Sequence, residues 1–473
     1  MSFIEPQELP SLAGLSSLNR ATQADWSVEQ SVELLKMLHF TLKKISETLV
    51  SRITAEPVYE LKTLFSHHAY LCAEQVQAVR KRVSEMREPP LGLEAIPNPV
   101  LGFCLSEVDS CPDSLYLIDG IYNVLLPFVL DSCNFIKSNA HPLADAPTVR
   151  LSKLMEFELT EMQALGATCV NGFIANPEET ESRNSWCEML KLELSQLTPR
   201  VLHDTGKTEL QPNSKPVFSG KPRAYQSAPR RDKRFIDPYN AGVNPEAFLY
   251  DEKYSARDKT LMMYYKRLRE LDVPEMMASI LVELRDEEPW EFHFEMTRQL
   301  WDEARHAMMG EVGFASLGVD WTRIPINWTW SLNLNNQLNA RERHGVLFFI
   351  EQGLMPKTGK KYEWEIARES NDALSAVFQD FDWADEVLHA QIGRRWYVPR
   401  FASLQAGLNY GDKCWSKVLS HWRTYKEQGL TNHENWWPQL YAEACQRWGV
   451  QPDEEALAFD TSYEDLRADL NEI

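Results

Sequence analysis

Apolar residues recur at three- and four-residue spacing along most of the chain, and this period predicts helices. Four segments, about 27–52, 57–87, 113–138 and 146–172, are separated by Pro57, by the stretch from Pro89-Pro90 to Pro99, and by His141-Pro142. Leu34, Leu35, Leu38, Leu42 and Ile45 share one face of the first segment, so residues 1–197 are expected to form a helical bundle. Between 198 and 254 the period lapses. Pro199, Pro212, Pro216, Pro222, Pro229, Pro238 and Pro245 mark a linker there, with a basic cluster, Arg230, Arg231, Lys233 and Arg234, expected to lie on the acidic surface of the bundles. Periodicity returns with Leu261, Tyr264, Leu268, Leu271, Ala278 and Val282, opening a second bundle over 255–398. Residues 399–473 carry two amphipathic helices, about 412–428 and 434–448, read as a cover.

One stretch of the second bundle is written twice. Residues 302–310 read DEARHAMMG and residues 385–393 read DEVLHAQIG, both of the form DExxHAxxG. On a helix, residues three apart share a face, so Glu303 with His306, and Glu386 with His389, each present a carboxylate and an imidazole to one point. A two-metal bundle needs one further Glu from each of two partner helices. Glu275 lies 28 residues before Glu303, with Pro289 at the midpoint, and Glu351 lies 35 before Glu386, with Ser370-Asn371-Asp372 near the midpoint. Hairpins turning at those points place the carboxylates level. Glu275 and Glu351 both interrupt apolar stripes and are expected to point inward; Glu283, Glu291, Glu295 and Glu342 break the register or the stripe.

Four inward carboxylates cannot stay ionised in an apolar bundle without compensation. Two divalent cations would neutralise them, and the set of oxygen and imidazole donors suits iron or manganese. Asp302 and Asp385, beside both motifs, are placed to accept hydrogen bonds from the non-coordinating nitrogens of the histidines, each from the opposite motif. Gly310 and Gly393, one turn beyond the histidines, read equally as close helix packing or as space for a substrate pocket. The aromatic stretch 320–330 reads equally as a wall of the site or as a packed lid, while Pro356 and Gly359 should break the third helix.

The spacing Glu–DExxH–Glu–DExxH, over roughly 255–400, resembles the ferritin-like di-iron carboxylate superfamily, which includes ribonucleotide reductase small subunits, rubrerythrins, bacterial multicomponent monooxygenases and arylamine N-oxygenases. The run from Met262 to Tyr397 is similar to a group of bacterial ferritin-like proteins without an assigned substrate. The resemblance implies a ferritin-like four-helix bundle with two iron ions, or one manganese and one iron. In such a centre Glu303 and Glu386 would bridge, Glu275 and Glu351 would be terminal or shifting ligands, and His306 and His389 would supply nitrogen. The expected function is oxygen-dependent oxidation or oxygenation of a small organic substrate, with dioxygen and an electron donor as partners. Iron handling by ferroxidation, and a purely structural metal bundle, are the alternatives. Ribonucleotide reductase small subunits carry a radical-forming tyrosine after the first motif; with glycine at both corresponding places, no such radical is expected here.

Composition narrows the classes further. The chain has 473 residues, is 44% hydrophobic and carries a formal net charge of -20 at pH 7, which argues against nucleic acid or anionic membrane as partner. Eight cysteines without a CxxC fit reduced thiols and a cytoplasmic location; a homodimer is compatible with the length. The apolar run Tyr116–Leu130 is interrupted by Asp119, Gly120, Asn123 and Pro127 and reads as a core helix. His67 and His68 in the first bundle read as structural groups, and that bundle as metal-free.

Overall fold

The computed structural model describes residues 9–87, 92–173, 176–197, 210–235, 237, 239–240, 242–326, 329–356, 358–419, 422–431 and 434–462. Among these residues the regular elements are all helical and no strand occurs, in agreement with the all-α expectation. The chain forms two compact units, one from Met1–Thr48 with Leu71–Tyr225 and the other from Leu49–Tyr70 with Gln226–Ile473. These boundaries differ from the expected ones. Residues 49–70 belong to the second unit, the proline-rich stretch is divided at 225/226, and the C-terminal cover belongs to the second unit.

The first unit takes the part of α1 (Val28–Arg52) up to residue 48, the part of α2 (Tyr59–Ser84) from residue 71, and α3 (Pro99–Asp109), α4 (Ser114–Asn139), α5 (Ala146–Gly172) and α6 (Pro177–Ser195). Helices α3 and α6 each start on an Asn-Pro pair. Asn98 and Asn176 cap the helix with their side-chain oxygens, and the proline occupies the first turn, where no N–H is needed. Helix α4 is long and apolar enough to cross a membrane, but Ile121, Leu125, Val129 and Ile136 are buried inside the unit. The proline-rich stretch is anchored by two carboxylates. Glu193 accepts from the backbone N–H groups of Asn213 and Ser214, and Glu107 from those of Val217, Phe218 and Ser219.

In the second unit the central helix is α7 (Ala256–Arg269), buried from Asp258 to Arg269. A helix covered on all sides must find partners inside for its charges. Lys266 pairs with Glu363 and Arg267 with Glu270. The helix ends at residue 270 because Pro274 has no N–H to give to the Glu270 carbonyl, which instead accepts from Val273 at 3.0 Å. A separate helix, α8 (Asp272–Glu283), follows. Helix α9 (Trp290–Ser316) carries the first motif and packs on α7 and α8. After α10 (Thr329–Gln337) come α11 (Ala340–Gly353), α12 (Lys360–Glu369) and α13 (Ala373–Trp396), which carries the second motif and packs on α9, α11 and α12. The break between α11 and α12 falls where Pro356 and Gly359 are expected to place it. Helix α14 (Leu404–Leu419) lies on α11, and α15 (Trp437–Trp448) buries Trp437 and Tyr441 in the core beside α7.

Gly310 and Gly393 serve close packing; neither opens a pocket. A Cβ on Gly310 would lie 2.6 Å from both the Leu268 Cα and the Tyr264 carbonyl oxygen, and one on Gly393 would strike the Phe348 ring. Gly310→Ala should therefore destabilise the protein by about 1–3 kcal/mol through overpacking, despite the ~1 kcal/mol that alanine adds to helix propensity. Denaturant midpoints measure this, and an equally stable variant would return the pocket alternative. Glu342 has a local role. It completes a capping box with Asn339 at the start of α11, so Glu342→Ala should cost about 1 kcal/mol with metal content unchanged.

Candidate metal centre

The duplicated motif sets its side chains on the facing sides of α9 and α13, and the structure brings Glu303, His306, Glu386 and His389 together at their contact. The two imidazole rings lie 5.9 Å apart between centroids. Each histidine turns Nδ1 inward and Nε2 outward. His306 Nε2 lies 3.2 Å from Asp385 and His389 Nε2 lies 3.3 Å from Asp302, so each aspartate orients the histidine of the opposite motif. Arg305 ties the aspartates together, donating to Asp302 at 2.5 Å and to Asp385 at 2.8 Å.

Two overlapping groups of donors result, one of Glu303, Glu351, Glu386 and His389, the other of Glu270, His306, Asp382 and Glu386. Within each group the donor atoms all lie within 4.8 Å of one another. Glu386 belongs to both, and Glu303 faces His389 at 3.2 Å with one oxygen and His306 at 3.6 Å with the other. Glu386 is thus common to both groups, and Glu303 stands between the two imidazoles.

Glu275 is not in the cluster, which corrects the hairpin arithmetic. Lys62 donates to it at 2.6 Å and Arg231 at 2.9 Å, while Arg231 also pairs with Asp272. Burial opposes its charge, but Arg231 and Lys62 outweigh that and hold the Glu275 carboxyl below the usual range. Asp272 goes the other way, pushed up to about 7 by burial and by Glu275 beside it, with Arg231 only partly offsetting. Arg231 is thus an interior group and does not lie on the acidic surface. Of its neighbours in the basic cluster, Arg234 pairs with Glu60 and Asp232.

Glu270 fills the place assigned to Glu275. The register slips because the helix breaks at 270/271, and Pro274 was the available signal. Asp382, also unforeseen, stands one turn before Glu386 at an i, i+4 spacing that puts both on one face. Two cations accompany these acids. Arg267 lies 2.7 Å from Glu270 and pairs with Asp382; Lys360, fully buried at the start of α12, lies 2.9 Å from Asp382 and 3.0 Å from Glu386.

The charge states follow the geometry. Burial opposes each ionised form, yet Arg267 and Lys360 hold Glu270 down to about 2, and Lys360 keeps Glu386 well below the usual carboxylate range. Glu351 is pushed well above it, by burial and then by the adjacent Glu386 and Glu303. Despite burial, the carboxylates of Asp385, Glu270 and Glu303 around it raise His306 to about 10, and those of Asp302, Glu303 and Glu386 raise His389 well above its ordinary value.

The donors fit a metal pair. Glu303 Oε1, Glu351 Oε2, Glu386 Oε2, Glu270 Oε2, His306 Nδ1 and His389 Nδ1 are buried and, although His389 faces Glu303 at 3.2 Å and His306 faces Glu270 at 3.4 Å, none has a well-formed hydrogen bond among the described residues, a condition that native interiors seldom tolerate. All are oxygen or imidazole nitrogen, the set preferred by iron and manganese.

A cavity of about 160 Å³ opens beside Glu270, Glu303, Glu351 and Glu386. Met276, Leu334, Leu347, Ile350 and Leu354 give it apolar lining, and Glu246, Lys266, Arg269, Asp272 and Ser331 add polar and charged groups. Trp330 and Trp415 close one side edge to face at 4.6 Å. The stretch 320–330 therefore divides between the two roles expected of it. Trp321, Ile324 and Ile326 pack in the core near Tyr59, Trp330 lines the cavity, and Asn327 and Trp328 lie outside the described residues. Trp415 gives the C-terminal cover a place at the site that its sequence did not announce. Compared with protein-family models, curated proteins and solved structures, the chain matches none.

Proposed function

We propose that the second unit is a ferritin-like two-metal centre that uses dioxygen to oxidise a small, largely apolar organic molecule. The observation that carries this reading is the convergence of buried oxygen and nitrogen donors without well-formed hydrogen bonds, four of whose carboxylates line a cavity that also has an apolar side. A pair of iron ions, or manganese with iron, would be held by Glu270, Glu303, His306, Glu351, Asp382, Glu386 and His389. Such a pair supplies electrons to dioxygen and so makes an oxidant of it.

The protein's own contributions are position, dryness and charge balance. Asp302 and Asp385 accept from the outward imidazole nitrogens and so point Nδ1 at the centre. Met276, Leu334, Leu347, Ile350 and Leu354 exclude water and seat the substrate's apolar part. An apolar cavity on the order of 150 Å³ accepts a molecule the size of benzene, which sets the scale of what enters here.

Anaerobic loading with ferrous iron followed by air should yield ferric protein with about two irons per chain, with oxygen consumed. Met276→Trp, which fills the cavity, should suppress turnover of a small aromatic probe such as toluene while iron content stays the same. Ferric accumulation far beyond two per chain would replace this reading with iron storage. Iron bound without oxygen uptake would leave a structural metal bundle.

A further inference from the structure

We infer that the two metal places are inequivalent, the first (Glu303, Glu351, Glu386, His389) taking a divalent ion on its own, the second (Glu270, His306, Asp382, Glu386) only by displacing Arg267 and Lys360. The inference rests on the two-metal reading and concerns the order and strength of loading.

At the second place each carboxylate already has a cationic partner. Arg267 binds Glu270 at 2.7 Å and also Asp382; Lys360 lies 2.9 Å from both oxygens of Asp382, 3.0 Å from Glu386 and 3.8 Å from Glu270. Both cations are fully buried. At the first place, among the described residues, no Lys or Arg is paired with Glu303 or Glu351, and the shared Glu386 meets Lys360 through Oε1 while its Oε2 has no hydrogen bond. Glu351 takes one hydrogen bond, from Gln299 at 3.1 Å, and its other oxygen has none; Glu303 Oε1 and His389 Nδ1 are likewise without one. These groups are no more than 4% exposed.

An ion entering the first place meets carboxylate oxygens that are held only by the His389 imidazole, at 3.2 Å from Glu303 and 3.4 Å from Glu386, and it has only a proton to displace there. One entering the second must break existing ion pairs and leave an ammonium or guanidinium in the interior, which is strongly unfavourable unless that group finds another partner. Lys360 is the group that can yield. It sits in the first turn of α12, and Glu363, one turn on, accepts from Lys266 through Oε1 and has no hydrogen bond at Oε2, which can take the displaced ammonium. The chain therefore has a built-in order of loading and a means of taking two different ions at its two places.

The test uses the full chain and Mn2+, which stays divalent in air. Calorimetric titration should show a first ion bound at least about a hundredfold more tightly than the second. Electron paramagnetic resonance at one Mn2+ per chain should give the hyperfine-split signal of an isolated ion, with the coupled-pair signal appearing only at excess. Lys360→Met should tighten the second step until the two lie within roughly tenfold of each other, and Glu351→Gln should remove the tight step. Coupled-pair signal at one Mn2+ per chain, two steps of equal affinity in the wild type, or a second step unmoved by Lys360→Met would each overturn the inference. Failure to bind any Mn2+ would remove the two-metal reading beneath it.

Discussion

Glu386→Ala should empty both metal places without weakening the fold. Glu386 is the residue common to the two donor groups, so its loss removes a ligand from each ion at once. Outer partners of ligands alone are worth roughly 10–100-fold in affinity, so a shared ligand should cost more than about a hundredfold at each place. Elemental analysis after dialysis measures it, with the bound metal falling from about two per chain to near none. The metal-free variant should melt no lower than metal-free wild type. Five carboxylates crowd this interior, and removing one relieves repulsion with Glu351, while Lys360 keeps Asp382 at 2.9 Å. Retention of two tightly bound ions would show that Glu386 does not bridge.

Glu275→Ala should give the opposite signature, with metal content kept and stability lost. Glu275 lies between Lys62 and Arg231, all three buried, and its removal leaves two interior cations with one carboxylate, Asp272, between them. Breaking a buried pair by deleting one partner typically costs about 3–5 kcal/mol, which denaturant unfolding would register. The pH dependence has a definite sign. The folded-state pKa of Glu275 lies below the ordinary glutamate value of 4.5, so the stability that its charge contributes is complete above that pH and is lost as pH falls through the depressed value. The difference between wild type and variant should therefore close in acid. A variant that loses metal while unfolding normally would restore Glu275 to the centre.

These two glutamates show where local reading stops. Both are inward-facing acids on helices of the same unit, and nothing in the period of their neighbours separates a ligand from half of a salt bridge. The distinction rests on Lys62, 213 residues away from Glu275 in the chain, and on Arg231, from a stretch without periodicity. Levelness across a hairpin assumed one continuous helix through 270–283. Pro274 cancels that assumption by denying the Glu270 carbonyl its helical donor, and the acid that joins the cluster is Glu270.

The sequence by itself determined what depends on short range. It set the all-helical character, and it set Glu303 with His306 and Glu386 with His389 on common helix faces, because the helical period is a property of neighbouring residues. It also put Asp302 and Asp385 beside the ligands of both motifs. Only the tertiary structure decided which distant acids and cations meet at those faces. Glu270, Asp382, Arg267 and Lys360 enter the centre, residues 49–70 join the second unit, and Gly310 and Gly393 let helices approach instead of opening space for a ligand. The physical reason is that a buried charge is assigned its partner by whatever the packing places within a few ångströms, and packing is a property of the whole chain.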